Sequence, residues 1–202
     1  MTSLRPVERV AASLVSFVGG GVQPSNRARI GMFDDTAPIW SFLAKLEAVE
    51  KPEFSRTAAE GLYLIEVFPA LALPGLNNAF NQRKTGPRYN PARRKTYRPS
   101  DWVAVVKTVA AYATEAGIAG ITSWTRDLLG IKTPKKADQD RLDAVLCALI
   151  GYHWRSTSRE HSIKIGDLNN GYIVAPVSPD TRQRLEAAAH KCGVPVDHPE
   201  LP

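Results

Sequence analysis

Cysteine is scarce in this chain: Cys147 and Cys192 are the only two in 202 residues. Two thiols are too few for a disulfide framework or a zinc knuckle, so a hydrophobic core has to hold the fold. Long apolar runs are missing too. No stretch reaches the roughly 18–20 residues needed to span a bilayer, and no membrane partner is expected. The apolar N-terminal stretch, residues 1–21, is interrupted by Glu8 and Arg9 and has no clean cleavage site, so it does not read as a signal peptide. A reducing, cytoplasmic setting follows as the expectation. Repeats and low-complexity tracts are absent. "VGGGV" at 18–22 follows a helical pattern rather than a strand, which excludes a dinucleotide fingerprint, and no Walker-type loop is present. No Ser-His-Asp or Cys-His arrangement has support. Strand-forming sequence is also sparse.

What is present is helix. Hydrophobic residues make up 44% of the chain, enough for a core of ordinary size. Residues 5–18 place Val7, Val10, Ala11, Leu14 and Phe17 on one face. Asp35 or Thr36 is a candidate cap for a helix opened by Pro38 and running to Glu50. "LYLIEVF" at 62–68 predicts a buried strand, closed by Pro69 and Pro74. A helix is expected from Ser100 or Asp101 to Ala116, where Gly117 and Gly120 break it. A short helix or irregular connection precedes a helix over 139–154, which would span about 24 Å. "SIKIGDLNNGYIVAPV" predicts a hairpin turning at Asn169–Gly171. A capped amphipathic surface helix follows from Ser178. The expected class is therefore α/β, helix-rich, with a C-terminal β-hairpin. A strand buried on both faces needs a sheet around it, and the chain is short of sheet. One way to complete that sheet is a strand from another chain.

Three aspartates crowd the front of the 139–154 helix. Asp138 is a natural N-cap and Asp140 sits in the first turn, where capping and the helix dipole explain both. Asp143 lies deeper, and its helical neighbours are Leu146, Cys147 and Ile150. A carboxylate on that surface is costly unless it pairs, accepts hydrogen bonds or holds a metal. Asp140 and Asp143 are three apart and share a face, which suits a hard divalent cation if further acids join them. Glu66 is the one charge in the 62–68 run, near its C-terminal end, where open α/β sheets place their sites. Asp140, Asp143 and Glu66 are thus the candidate catalytic residues, and two-metal phosphoryl chemistry is what such a cluster serves. Cys147 reads as a small core residue.

The net charge is +6, and one segment carries the excess. From Arg83 to Arg98 stand Arg83, Lys84, Arg88, Arg93, Arg94, Lys95 and Arg98, with no acid. Gly86, Pro87, Pro91 and Pro99 keep the stretch out of regular helix. Such cations contact phosphates, and the interleaved Tyr89 and Tyr97 are of a type that stacks on unpaired bases. A solvated loop, or arginines that neutralise the chain's own buried acids, are the other readings of the same residues.

"LIEVFPALAL", "GPRYNPARRKTYR", "DRLDAVLCALIGYHW" and "GDLNNGYIVAPVSP" together resemble domain-of-unknown-function family 429, over nearly the whole chain. Members of that bacterial family are described as predicted nucleases of RNase H-like fold. "DRLDA" is also similar to the acidic C-terminal helix of the Holliday-junction resolvase branch of that superfamily. The resemblance implies that Asp140 and Asp143 bind Mg²⁺ or Mn²⁺, with Glu66 bordering the site. RNase H-like folds begin with a three-stranded meander whose first strand carries an aspartate. The resemblance places that meander before the segment read here as 5–24, so it implies an N-terminally incomplete RNase H-like domain over 1–175, followed by a surface helix and tail over 176–202. The expected function is a metal-dependent nuclease. The alternative is a non-catalytic nucleic-acid-binding or interaction module on a degenerate scaffold of the same kind.

Overall fold

The computed structural model describes residues 4–15, 22–81 and 86–199. Its elements in chain order are α1 (Pro6–Leu14), α2 (Pro38–Leu46), α3 (Pro52–Ser55), α4 (Pro69–Leu76), α5 (Asn78–Asn81), α6 (Pro99–Glu115), α7 (Ile121–Gly130), α8 (Lys136–Ser156), β1 (Ser162–Asp167), β2 (Gly171–Pro176) and α9 (Pro179–Cys192). The class is mixed α/β, helix-rich, with a C-terminal antiparallel hairpin. None of the described helices is long and apolar enough to cross a membrane.

Local chemistry accounts for most helix ends. Proline stands at the start of α1, α2, α3, α4, α6 and α9, where its missing N–H costs nothing and its fixed φ suits the first turn. Ser178 caps α9, its hydroxyl accepting from the Thr181 N–H at 3.3 Å, and Gly193 ends the helix at φ 64°. α8 begins three residues earlier than its apolar pattern suggests. Asp138 is consequently not the cap but the third helical residue. Its carboxylate reaches back to accept the Lys135 N–H at 2.8 Å, the acid half of a capping box. α2 also departs from expectation. It stops at Leu46 because Glu47 turns left-handed at φ 50°. Neither Asp35 nor Thr36 caps it; Asp34 instead folds the preceding loop by accepting from Gly31 N–H and Thr36 Oγ1. α4 was not expected: Pro69 opens a helix rather than merely ending a strand. Phe17 and the triple glycine lie outside the described residues.

β1 and β2 pair antiparallel from Ser162–Pro176 to Asp167–Gly171. The hairpin is covered on both faces. Ile163, Ile165, Ile173 and Ala175 pack with Val7, Val10, Ala11 and Leu14 of α1 and with Leu185 and Ala189 of α9. Tyr172 and Val174 look the other way, onto Trp154 of α8. A second core joins Leu73 of α4 to Trp102, Val105, Val106 and Val109 of α6, Leu128 of α7 and Leu142, Leu146 and Leu149 of α8. α9 thus packs one apolar face, through Leu185 and Ala189, onto the hairpin and α1, and its other residues are half-buried or exposed. Gly75 permits the closest approach in this core. A Cβ there would lie 2.1 Å from the Pro176 carbonyl oxygen.

The stretch 62–68 is not a regular strand. It is extended and half-buried, with a parallel bridge from Tyr63 to Val49 and another from Val67 to Val174 of β2. On the other side of the hairpin, Val196 bridges Ile165. The sheet is thus the two-stranded hairpin with a short extended segment on each flank. It reads as a buried strand in sequence because its side chains are apolar. Ile65 and Val67 pack onto Trp154 and Tyr172, and Phe68 packs against the core formed with α1 and the hairpin.

Candidate functional site

A cavity of about 270 Å³ opens where α1, the 66–70 stretch, the 86–93 stretch and α8 meet. It is lined by three carboxylates from three elements, Glu8, Glu66 and Asp143, and by two arginines, Arg5 and Arg93. Asp143 and Glu66, 77 positions apart in sequence, are therefore brought to one place. Asp140 is not. Its side chain is exposed on the outer side of α8 and pairs with Lys136 one turn earlier.

Asp143 is held from both sides. Its Oδ1 accepts from the Tyr89 hydroxyl at 2.7 Å, and its Oδ2 accepts from the Gln139 amide. Burial pushes its pKa up from 3.8 to about 6; the bond from Tyr89 opposes the rise without cancelling it. Burial and the neighbouring Asp143 carboxylate drive the Tyr89 phenol well above its ordinary value, and the Cys147 thiol up to about 11. Cys147 is accordingly an unreactive thiol. The Gln139 Oε1 atom is enclosed and has no partner among the described residues.

Glu8 and Glu66 share a single cation. Arg5 donates from Nε to Glu8 Oε1 at 2.9 Å, and from Nη1 and Nη2 to the two oxygens of Glu66, the first at 3.0 Å. The backbone N–H groups of Arg5 and Ser25 complete the shell of Glu8 at 2.8 Å each. Glu8 is only 1% exposed, so this compensation is required. The bond to Glu66 is the largest influence raising the Arg5 pKa above its ordinary value. The hairpin turn also serves this cluster. Gly171, at φ 89°, has no side chain where a Cβ would come within 2.6 Å of Arg5 Nη1. Arg5, Glu8 and Gln139 were not among the expected site residues. The signal for Glu8 was present: Ala11 and Ala12, one turn on, are buried, just as the apolar neighbours of Asp143 marked that residue.

The basic segment divides. Tyr89 is 6% exposed and spends its hydroxyl on Asp143, so it offers no face to a base; the stacking role expected for it is corrected. Arg88 is half-buried, its N–H bonded to Asp101 Oδ2 at 2.6 Å and its Nε enclosed. Arg94, Lys95 and Arg98 are exposed, and Arg93 is half-buried at the cavity wall. None of these four side chains has an ion pair or hydrogen bond among the described residues. Arg83 and Lys84 lie outside the described residues.

The fit of a divalent ion can be judged from the donors. Among the described residues no group of three or more histidine, cysteine, aspartate or glutamate side chains is disposed to hold one. The oxygens of Glu8 and Glu66 already surround a guanidinium, Asp143 accepts hydrogen bonds from Tyr89 and Gln139, and the side chain of its expected partner Asp140 is exposed and paired with Lys136. As they stand, these residues do not fit a resident Mg²⁺ or Mn²⁺. No protein-family model, curated protein or solved structure matches the chain.

Proposed function

We propose that this chain binds nucleic acid through its phosphates, on a scaffold of RNase H-like kind. The observation that carries the reading is a row of cations, Arg93, Arg94, Lys95 and Arg98, whose side chains have no ion pair or hydrogen bond among the described residues, while every carboxylate of the adjoining cavity has its own donors. Cations left over after internal pairing are available to an external polyanion. Arg93, which lines the cavity, would bring one phosphate to its mouth.

The test is fluorescence anisotropy of a labelled single-stranded oligonucleotide at several salt concentrations. Replacing Arg93, Arg94 and Lys95 with glutamine is expected to weaken binding and to flatten the slope of log K against log salt by about 2, at roughly 0.7 per phosphate contact. Asp143→Asn is expected to leave binding intact. No binding at low salt would refute the proposal.

A second reading, phosphodiester hydrolysis at the same cavity, is favoured by the buried Asp143 carboxyl, raised to about 6 and therefore able to take or give a proton near neutrality. It predicts cleavage that is lost in Asp143→Asn and follows a pKa near 6. Calorimetric titration with Mn²⁺ separates the metal-dependent form of this reading. Heat in the wild type that vanishes in Asp143→Asn would support a metal there, and equal negligible heats would dismiss it.

A further inference from the structure

The cavity beside Arg93 has in its lining one polar side chain that the fold leaves half satisfied. Gln139 stands in the first turn of α8, is 6% exposed and lines the cavity. Its Nε2 donates to Asp143 Oδ2, and this bond fixes which end of the amide is left over. The end left over is Oε1, enclosed and without a partner among the described residues. A buried acceptor without a donor is costly, and in folded proteins nearly all such atoms are met by something. Arg5, the other cation of the cavity, is held by Glu8 and Glu66.

The rest of the lining narrows what can bring the donor. The volume, about 270 Å³, lies just below the roughly 300–1,000 Å³ of ordinary small-molecule pockets, so it has room for one ring system and not for a length of peptide. Val22, Phe68, Pro69 and Pro87 give it apolar walls, which suit the faces of a flat ring. Arg93 stands at the wall with no ion pair or hydrogen bond among the described residues. A cation there opposes an ammonium or guanidinium ligand and favours one that carries an anion. The chemistry that fits all of these is a neutral N–H donor on a flat ring, joined to an anion.

We propose that this cavity is a base subsite: the nucleotide whose phosphate rests on Arg93 turns its base inward, and the amino group of that base donates to Gln139 Oε1. The inference rests on the phosphate-binding reading above and adds to it a preference among bases. Cytosine, adenine and guanine each carry an amino group. Thymine has none, and it holds its one ring N–H between two carbonyls, which an acceptor in the cavity repels. Turning a base out of its stack costs least in a single strand, where sequence is commonly read on unstacked bases.

The experiment is fluorescence anisotropy with two labelled single strands of about twelve nucleotides, one all thymine and one with a single central cytosine. Their phosphates are equal in number, so the electrostatic contribution cancels between them. The cytosine strand is expected to bind about tenfold more tightly, the size of one good base contact. Gln139→Leu is expected to bring the two strands to equal affinity. Asp143→Asn is expected to reverse their order, because an asparagine amide that donates to Oε1 turns Gln139 Nε2 into the cavity, toward a thymine carbonyl. Circular dichroism checks the fold of both variants, and the wild-type preference is read without either. Equal binding of the two strands by the wild type would overturn the subsite and leave the phosphate reading standing. No binding of either strand at low salt would overturn both. A cytosine preference that survives Gln139→Leu would also overturn the subsite, since the base would then be read elsewhere.

Discussion

Replacing Asp143 with asparagine keeps the shape of the side chain and removes its charge, and this exposes the cost of burying that charge. The carboxyl titrates at about 6 in the fold against 3.8 for the free group. Each tenfold change in proton affinity is about 1.4 kcal/mol, so the folded state gives up on the order of 3 kcal/mol to keep the carboxylate charged. The sign follows from the direction of the shift. Below 3.8 the group is neutral in both states and costs nothing. Between 3.8 and about 6 the folded state binds the proton and the unfolded state does not, so wild-type stability falls as pH rises. Above 6 the loss is complete. The asparagine variant escapes this loss. It can still accept from Tyr89, and a rotated Gln139 amide would turn the unpartnered Oε1 toward the new amide N–H. The assay is urea unfolding of both proteins from pH 4 to pH 8. The variant is expected to gain on the wild type by about 2–3 kcal/mol across that range, with most of the gain below pH 7. A stability difference that stays flat with pH would refute the assignment of a raised pKa to Asp143.

Two further outcomes follow from the packing. Arg5→Met leaves Glu8 buried without its cation, and should cost about 3–5 kcal/mol in urea unfolding. A cost below 1 kcal/mol would mean that the backbone N–H groups of Arg5 and Ser25 suffice for Glu8. Gly75→Ala tests the contact between α4 and β2. Helix propensity alone favours alanine by about 1 kcal/mol, whereas a methyl group driven onto the Pro176 carbonyl should cost about 1–3 kcal/mol or more. A lower melting temperature shows that the contact wins, and a higher one shows that the chain can part there.

The free cations and the buried acids are two consequences of one arrangement. Among the basic residues near the cavity, Arg5 is the one consumed by Glu8 and Glu66. The 93–98 cations are spared because Asp143 draws on hydroxyl and amide donors instead. Arg93, Arg94, Lys95 and Arg98 are thereby left without an ion pair among the described residues.

Much of the architecture was legible from local pattern. α6, α8, the hairpin and α9 each carry a periodic apolar face and a recognisable start or stop, and such signals need only neighbours in sequence. Asp143 was legible for the same reason, as a charge on an apolar helix face. Other features depended on what packs against what. Tyr89 sits in a stretch that reads as exposed and basic, and it is buried because residues 86–90 lie against α6 and α8. Asp140 and Asp143 share a helix face, yet only the second meets the cavity, since one turn of α8 is enough to carry a side chain from wall to solvent. The order of pairing around 62–68 was beyond sequence as well. Apolar composition identified an extended segment. Which of its edges found partners was set by Val49, Tyr172 and Val174, which lie up to 108 positions from the residues they bond and meet them only in the folded chain.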